Sequence, residues 1–273
     1  MPELPEVETI VRRLRPCLIG RKIRSVRVLT PSVLRIPQGE FRRRLRGTII
    51  REIQRKGKFI LFDLDPAATL VLHLKMTGQV FFEPFGTEPD GHSHLILAFE
   101  EGTGQLRYRD VRKFGFFDLL GHKGQENPPY LAGIGPDPFE IDPSSFVRLL
   151  SSKKRRIKPL LLDQRVISGL GNIYVDEALF QARIHPLTPA SEVPTESLQN
   201  LYRVLKRVLS RALRAQGSTL RDYRKPDGKA GRFQHLHQVY GRAGQPCPSC
   251  GVGIRKTRVS GRGTHYCPNC QSF

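Results

Sequence analysis

The sequence predicts an α+β protein with a β-rich first half, a helical second half and a small metal-binding module near its C-terminal end. Short apolar segments punctuated by Gly and Pro fill residues 22–120, whereas helical periodicity dominates after residue 143. Four cysteines with metal-ligand spacing follow in the last part of the chain. With 273 residues, the chain is long enough for two domains that each bury a core.

An amphipathic helix is predicted from Glu3 to Leu18. Its apolar residues recur at helical spacing along one face, at Val7, Ile10, Val11, Leu14 and Leu18. Pro5 is tolerated in the first turn, and Gly20 ends the helix. A helix packed by this stripe would hold the start of the chain in a fixed place, where its dipole favours the carboxylates of Glu3 and Glu6.

The start of that helix carries a candidate nucleophile. If Met1 is removed, Pro2 presents a free α-amine, whose pKa of about 7.7–8.0 lies far below the value of about 10.4 for lysine. Such an amine attacks an aldehyde-like carbon to form a Schiff base. The resulting iminium has no N–H to lose, so it stays cationic, and Glu3 could supply a proton. The alternative is that both residues simply begin a helix, and a retained Met1 would block the amine.

The charge balance indicates a polyanionic partner. The chain has 45 Lys and Arg against 25 Asp and Glu, a formal net charge of +20. An excess of this size favours nucleic acid, although a generally basic surface is the alternative. The sequence has no apolar run long enough for a transmembrane helix and no signal-peptide pattern at its start. We therefore expect an intracellular, reduced protein with no membrane partner.

Short segments rich in Val, Ile, Leu and Phe predict the strands of a sandwich or a barrel. The segments are Lys22–Leu29, Thr48–Ile53, Phe59–Leu64, Leu70–Leu74, Val80–Phe82, Leu95–Phe99 and Phe114–Leu120.

Three connections between these segments carry residues of chemical interest. Lys58 follows a glycine at a strand entry, where it could reach a phosphate or lie in a solvated basic turn. Met76 lies on a turn and could wedge between bases or border the core. The third connection, Arg107–Gly115, interleaves basic and aromatic residues, as stacking with phosphate contact requires. His92 and His94 could donate to phosphate or cap a strand.

A Pro- and Gly-rich linker is predicted over residues 127–143, followed by helices. The basic run Lys153–Arg156 is more often a solvated face than a site. Two glycines before a helix, in Ser168–Tyr174, could let backbone N–H groups take a phosphate, although a lone Gly-x-Gly is weak evidence. A long amphipathic helix covers Leu198–Leu213, and the polar segment Gly217–Gly231 predicts a mobile loop.

A zinc site is predicted at the C-terminal end. Two C-x2-C pairs, separated by sixteen residues, consist of Cys247, Cys250, Cys267 and Cys270. This spacing suits one tetrahedral Zn²⁺, and four thiolates leave no open position, so the ion is structural. A pair of disulfides would need an oxidising compartment. Cys17 lies on the apolar face of the first helix and is expected in the core.

Three stretches of the chain together resemble one known family. They are Pro-Glu-Leu-Pro-Glu-Val-Glu-Thr at residues 2–9, Gly-Asn-Ile-Tyr-Val-Asp-Glu at 171–177, and the four-cysteine finger with Gly-Arg-Gly-Thr-His-Tyr-Cys at 261–267. The chain resembles the formamidopyrimidine-DNA glycosylases, the bacterial 8-oxoguanine DNA glycosylases, along its whole length. The resemblance implies an N-terminal β-sandwich, a helix–two-turns–helix domain and a zinc finger, with damaged DNA bound in a cleft and the lesion flipped out.

Carried over to this sequence, the resemblance also implies roles for single residues. Pro2 would attack C1′ of the damaged nucleoside, Glu3 would donate the proton that opens the sugar, and Lys58 would contact phosphate and donate a proton in β-elimination. Arg262 would contact phosphate and assist δ-elimination. The residues that fill the vacated gap would be Met76, Arg112 and Phe114. The further DNA contacts would be His92, Lys154, Lys158 and Asn172. The loop 217–231 would close over the flipped base.

The resulting prediction is a monomeric, bacterial, cytoplasmic glycosylase and AP lyase for oxidised purines that needs one structural zinc and no nucleotide cofactor. Its predicted domains are 1–127, the linker 128–142, the helical domain 143–235 and the zinc finger 236–273. Two alternatives stay open. One is an endonuclease VIII-like enzyme for oxidised pyrimidines, and the other is a zinc-ribbon protein that binds DNA without catalysis.

Overall fold

The computed structural model describes residues 1–100, 104–121 and 128–273. The chain divides into two compact units, of which the first comprises Met1–Pro129 with Ala215–Arg232 and the second comprises Tyr130–Arg214 with Phe233–Phe273. The predicted domain end at residue 127 lies outside the described residues, and the predicted linker 128–142 begins at the next residue. The first unit includes a segment that the predicted helical domain 143–235 had contained, because this segment hydrogen-bonds to elements of the first unit.

The first unit begins with helix α1, Leu4–Leu18. The predicted apolar stripe is confirmed, because all five of its residues are fully buried. Pro5 lies in the first turn, where the missing N–H costs no hydrogen bond. Gly20 follows the helix with φ of +83°, a conformation that glycine adopts without strain.

Eight strands in the described part of the first unit form two antiparallel four-stranded sheets. They are β1 (Ile23–Val28), β2 (Ile49–Lys56), β3 (Phe59–Asp65), β4 (Ala68–His73), β5 (Gly78–Glu83), β6 (Ser93–Phe99), β7 (Gln105–Asp110) and β8 (Phe116–Leu120). The strand orders are β1-β6-β7-β5 and β2-β3-β4-β8. One apolar core takes side chains from both sheets and from α1. Two separate sheets decide between the predicted alternatives in favour of the sandwich.

Two elements of this unit differ from the sequence prediction. Residues 105–110 form strand β7, although the charged Arg107 and Arg109 made this stretch resemble a connection. Leu106, Tyr108 and Asp110 are buried on its other face, so the strand has the period of two that its charges obscured. Helix α2, Gln38–Leu45, was missed because only Phe41 and Leu45 anchor it among several arginines.

The second unit is helical. Its described helices are α3 (Pro129–Ala132, at the boundary of the units), α4 (Pro143–Ser151), α5 (Ile157–Leu162), α6 (Asn172–Gln181) and α7 (Thr195–Arg214). The unit ends in a hairpin of β9 (Arg255–Val259) and β10 (Arg262–Tyr266). The long predicted helix corresponds to α7, and the predicted linker contains the short α3. In the ranges that the structure covers, no helix combines the length and apolar character needed to cross a membrane.

Candidate active site

The candidate nucleophile lies at the start of α1, where its surroundings are well ordered by hydrogen bonds. Pro2 is buried, Glu3 is 4% exposed and Met1, which precedes them, is half-exposed. The backbone N–H of Glu3 donates to Oε2 of Glu6 at 2.8 Å, which is one half of a capping box. Because Glu3 is the N-cap of a packed helix, the residue before it is held in one position.

Glu6 also connects this terminus to the segment 215–232. Its Oε1 accepts from the backbone N–H of Ser218 at 2.7 Å. A Cβ on Gly217 would lie 2.9 Å from the same oxygen, so the approach requires a residue without a side chain. One carboxylate therefore orders both the start of the chain and a segment more than two hundred residues away.

Further contacts hold the same segment on the first unit. The Gln79 amide donates to the carbonyl of Asp222, and Phe82 N–H donates to the carbonyl of Pro226 at 3.1 Å. Tyr223 lies in the apolar core, where burial and the nearby charge of Glu6 raise the pKa of its hydroxyl. The segment has no helix or strand, as predicted, but in the structure it is anchored at several points along its length.

Lys58 lies at the turn between β2 and β3, in the same unit as Pro2 and Glu3. It is 7% exposed, so it is not the solvated turn residue that the sequence left open. The turn is tied to α1 by Arg55, which donates to Oε2 of Glu8 at 3.0 Å and to the carbonyl of Gly57 at 3.2 Å. The ion pair is mostly buried, and it fixes the turn that carries the lysine to the helix that carries the amine.

His73 lies opposite Phe59 in the neighbouring strand β4 and has a neutral ring. Burial, together with the positive charges of Lys75 and Lys58, lowers its pKa to about 3. The ring packs between Phe59 and Phe116, with centroid distances of 4.5 and 5.9 Å. A neutral histidine beside the lysine leaves the local charge positive, which suits a phosphate.

The three residues predicted to fill a gap in DNA lie together on two turns of the first unit. Met76 and Phe114 are 44% and 51% exposed, which excludes a core position for Met76. The guanidinium of Arg112 lies 4.5 Å from the centroid of the Phe114 ring and donates to the Met76 sulfur at 3.2 Å. Residues from separate turns thus form one exposed, partly apolar cluster.

His92 and His94, the two histidines that the sequence offered as phosphate donors, lie in different surroundings. His92 is exposed at the start of β6, with its backbone N–H donating to Asp90. His94 is 1% exposed, and its ring bonds to Thr30 at 2.9 Å and to the carbonyl of Asp110 at 2.7 Å. His94 is therefore a satisfied core histidine, whereas His92 stays available for a ligand.

In the second unit, Lys154 is exposed between α4 and α5, but Lys158 is not. Lys158 is fully buried, and its ammonium donates to Oδ1 of Asp176 at 2.6 Å, to Oγ1 of Thr264 at 2.8 Å and to the carbonyl of Gly263 at 3.0 Å. With these partners the ammonium has no donor left for DNA. The structure therefore contradicts the predicted direct contact of Lys158 with DNA. The buried partner Asp176 could not be inferred from the sequence, because Lys158 follows a basic run.

The same contacts hold the β9–β10 hairpin against α6. Asp176 accepts from the backbone N–H of His265 at 2.9 Å, and the Asn172 amide donates to the carbonyl of Gly263 at 2.8 Å. Arg262 follows the two-residue turn Ser260–Gly261, in which both φ angles are positive, and its side chain is exposed. The hairpin thus presents Arg262 from a rigidly anchored base.

The four cysteines of the second unit come together as predicted. Their sulfur atoms all lie within 4.8 Å of one another. The Cys247–Cys270 and Cys250–Cys267 sulfur distances are 3.8 and 3.5 Å. These values suit tetrahedral Zn²⁺ with Zn–S bonds of about 2.3 Å, for which ligand sulfurs are about 3.8 Å apart, and are too long for disulfides. Four protein ligands leave the zinc a structural role only.

Some of these residues carry no signal that sequence reasoning used. The hydrogen bond from the backbone of Glu3 to the side chain of Glu6 could have been predicted, because Glu3-x-x-Glu6 before an apolar run resembles a capping box. Ser218 and Asp176 could not, because their partners lie far away in the sequence.

Three family models match consecutive parts of the chain. They are described as the formamidopyrimidine-DNA glycosylase N-terminal domain, over residues 1–117, the formamidopyrimidine-DNA glycosylase H2TH domain, over 134–224, and a zinc finger found in FPG and IleRS, over 244–272. The three matches follow the order of sandwich, helical unit and metal site that the structure shows.

Relatives that carry the family's name match over nearly the whole chain. The formamidopyrimidine-DNA glycosylase of Symbiobacterium thermophilum is 45% identical over 99% of this chain and 89% of its own length. That of Geobacillus kaustophilus is 44% identical over 99% of this chain and 100% of its own length. Lactococcus lactis Fpg in complex with abasic-site DNA has a TM-score of 0.92, 37% identity and coverage of 99% of this chain and 100% of its own. The same protein has also been solved with DNA that contains an oxidised pyrimidine.

Proposed function

The chain belongs to the formamidopyrimidine-DNA glycosylase family, and on this premise we propose that it excises oxidised purines from duplex DNA and then cleaves the strand at the resulting site. The observation that carries the proposal is the ordered start of α1. There Glu6 holds the backbone of Glu3, and the Glu8–Arg55 ion pair ties the helix to the turn of Lys58. An amine, a carboxyl group and a lysine are the groups that this chemistry needs.

The first stage is base displacement. After removal of Met1, the Pro2 nitrogen attacks C1′ of the flipped nucleoside, the C1′–N bond to the base breaks, and the proton that the Pro2 nitrogen loses passes to the departing base. Glu3 donates a proton to the ring oxygen O4′, so the sugar opens and C1′ becomes an iminium carbon. The secondary amine keeps this iminium cationic, and the positive charge acidifies the neighbouring C2′–H.

The second stage is strand cleavage. Loss of the C2′ proton expels the 3′ phosphate by β-elimination, with Lys58 as the proton donor. Loss of the C4′ proton then expels the 5′ phosphate in a second elimination, assisted by Arg262 on its anchored hairpin. The product is a one-nucleoside gap with phosphates at both ends. The cluster of Met76, Arg112 and Phe114 fills the space of the flipped base, and His92, Lys154 and Asn172 contact the DNA.

We also propose that the enzyme acts as a monomer on DNA in the bacterial cytoplasm and without a nucleotide cofactor. One chain supplies every reacting group of the mechanism. Each elimination removes a C–H proton and expels a phosphate, and the cationic iminium makes both steps possible, so neither consumes a high-energy nucleotide. The zinc supports the hairpin of Arg262 and takes part in no step.

The test of the proposed function is borohydride trapping on duplex DNA with a single 8-oxoguanine. Reduction of the iminium should join protein and DNA irreversibly in a species that a denaturing gel resolves. Tight binding without any adduct, from protein whose N terminus is verified as Pro2, would favour a DNA-binding protein without catalysis. A parallel assay with thymine glycol DNA decides between the purine and pyrimidine substrate classes, a choice that matters because the Lactococcus protein has been solved with an oxidised pyrimidine.

Glu3→Gln should separate the two stages. An amide cannot donate the proton to O4′, so excision of 8-oxoguanine should slow by about 10²–10⁴-fold, the usual contribution of a general acid. A pre-formed abasic site already exposes an aldehyde and needs no ring opening by Glu3, so its cleavage should fall far less. Single-turnover rates on both substrates measure this difference. Glu40→Gln, on the exposed face of α2, is the matched control. Equal loss on both substrates would contradict the assigned role of Glu3.

A further inference from the structure

The two turns that carry the gap-filling cluster share one buried carboxylate. Asp110 ends strand β7 and is fully buried. Its Oδ1 accepts from the hydroxyl of Thr77, next to Met76, and from the backbone N–H of Arg112 at 3.1 Å. Its side chain therefore joins the turn 74–78 directly to the turn 110–115.

The other oxygen of Asp110 fixes the far end of the second turn. Oδ2 accepts from the backbone N–H of Gly115 at 2.9 Å and from the hydroxyl of Tyr108 at 2.9 Å. The backbone groups of Asp110 extend the network, since its N–H donates to the carbonyl of His92 and its carbonyl accepts from the ring of His94. Four donors on one carboxylate leave it with no unused acceptor direction.

The four hydrogen-bond donors stabilise the ionised form of the Asp110 side chain. Burial raises the pKa of Asp110, but the hydrogen bonds from Thr77, Gly115, Tyr108 and Arg112 outweigh it and lower the pKa overall. An ionised carboxylate is an acceptor at every position. Each carboxylate oxygen accepts from one backbone N–H, that of Arg112 or that of Gly115, so an asparagine in either orientation would turn its donor amide towards a group that can only donate.

Both turns contain a residue in a conformation that only a surrounding structure can maintain. Lys75 has φ of +50° and Lys113 has φ of +56°, each one position before an exposed member of the cluster. A left-handed conformation is unfavourable for lysine and persists where neighbouring contacts impose it. The backbone N–H of Lys75 donates to Nδ1 of His73 at 3.0 Å, and that of Lys113 donates to the carbonyl of Asp110 at 3.3 Å. The carboxylate of Asp110 bonds to Thr77, Arg112 and Gly115, which all lie within two residues of these lysines.

The packing around Tyr108 leaves the turns little freedom. A Cβ on Gly115 would lie 2.0 Å from the Tyr108 hydroxyl oxygen, and a Cβ on Gly78 would lie 3.0 Å from it. The backbones of both turns thus approach the same hydroxyl, which itself donates to Asp110. Both turns therefore pack against the same buried pair, Tyr108 and Asp110.

We propose that Asp110 is a positioning residue that locks the Met76 turn and the Arg112–Phe114 turn together, so that the three side chains enter the duplex as one rigid wedge. This inference rests on the proposed function, because a wedge matters only where a nucleotide is flipped from a stack. In a rigid wedge the conformational entropy of the three side chains is already lost on folding, so it adds no cost when the wedge enters the duplex. Asp110 itself touches neither the reacting sugar nor the amine.

The test compares a substrate that needs the wedge with one that does not. Asp110→Asn should slow single-turnover excision of 8-oxoguanine from duplex DNA by about 10- to 100-fold, as expected when positioning groups are displaced. It should also reduce discrimination between bases placed opposite the lesion. Borohydride trapping on an abasic site in single-stranded DNA, where no partner base must be replaced, should stay within about twofold of wild type.

Three further variants make the test specific. Thr77→Val removes one hydroxyl donor at similar volume and should show the same selective defect in smaller degree, whereas Thr77→Ser keeps the hydroxyl and should restore duplex excision. Asp63→Asn changes an aspartate of β3 outside both turns and serves as the control. The Thr77 pair keeps the test decisive if Asp110→Asn does not fold.

The outcomes separate this inference from the proposed function. Absence of trapping by the wild-type protein on either substrate would count against the proposed function. Normal trapping by wild type, together with unchanged duplex excision by Asp110→Asn or by Thr77→Val, would overturn the role of Asp110. Equal losses on duplex and single-stranded substrates by folded variants would overturn it as well, because they would indicate general damage and not a lost wedge.

Discussion

Protein that keeps any residue before Pro2 should form no covalent complex with DNA. In a peptide bond the proline nitrogen is an amide, and it has neither a free lone pair nor an ionisable proton near neutral pH. Pro2 is buried and follows a half-exposed Met1 in the structure, and removal of Met1 converts the Pro2 nitrogen from an amide to a free amine. Borohydride trapping and strand cleavage should both fall below detection, whereas binding to lesion DNA should persist.

A removable N-terminal tag supplies the matched comparison. One sample is assayed with the tag in place and again after cleavage that leaves Pro2 first, with intact-mass spectrometry to identify each terminus. Only the cleaved sample should yield an adduct on denaturing gels. Trapping by the tagged sample at a comparable rate would mean that a lysine, and not the terminal amine, is the nucleophile.

Cys250→Ala should remove the zinc and with it the ordered hairpin. Structural Zn²⁺ contributes about 10–16 kcal/mol of apparent binding free energy that appears as folding free energy of its module. Cys250 is the exposed ligand, whereas Cys247 and Cys267 are buried in a small apolar cluster, so this substitution removes the metal with little loss of packing. Affinity for lesion DNA should collapse because the hairpin would no longer present Arg262.

Metal content and fluorescence anisotropy with labelled lesion DNA measure the two effects. Cys17→Ala, which changes a cysteine of α1 outside the metal site, should retain both zinc and affinity. Amide exchange should show the strands of the first unit as protected as in wild type. DNA affinity that survives complete loss of zinc would refute the structural role of the ion.

Local patterns were sufficient for most of the fold. The helical period of Val7, Ile10 and Leu14 predicted α1, and short apolar segments predicted most strands, because the spacing of apolar residues directly reflects which side chains face a core. Two elements were not predicted, because charged residues hid their apolar pattern. Strand β7 alternates arginines with buried residues, and α2 has two buried anchors among arginines, so both resemble solvated segments.

The candidate site was predicted as a set of residue types but not as an arrangement. The sheet brings two turns together, and this places Met76 close to Arg112 and Phe114. No spacing of residues in the chain predicts that proximity. Contacts of long sequence separation escape local reasoning. The role of Asp110 depends on such contacts, and so does the hydrogen bond that holds the segment 215–232 to Glu6.

The sequence by itself determined the zinc site, the amphipathic α1 and the chemistry available at Pro2 and Glu3, because each depends on neighbours within a few residues. Only the tertiary structure decided what the buried charges do. Lys158 resembles a DNA contact in the sequence and proves to be an anchor for the hairpin of Arg262, because an ammonium shielded from water must find its partners wherever the fold places them.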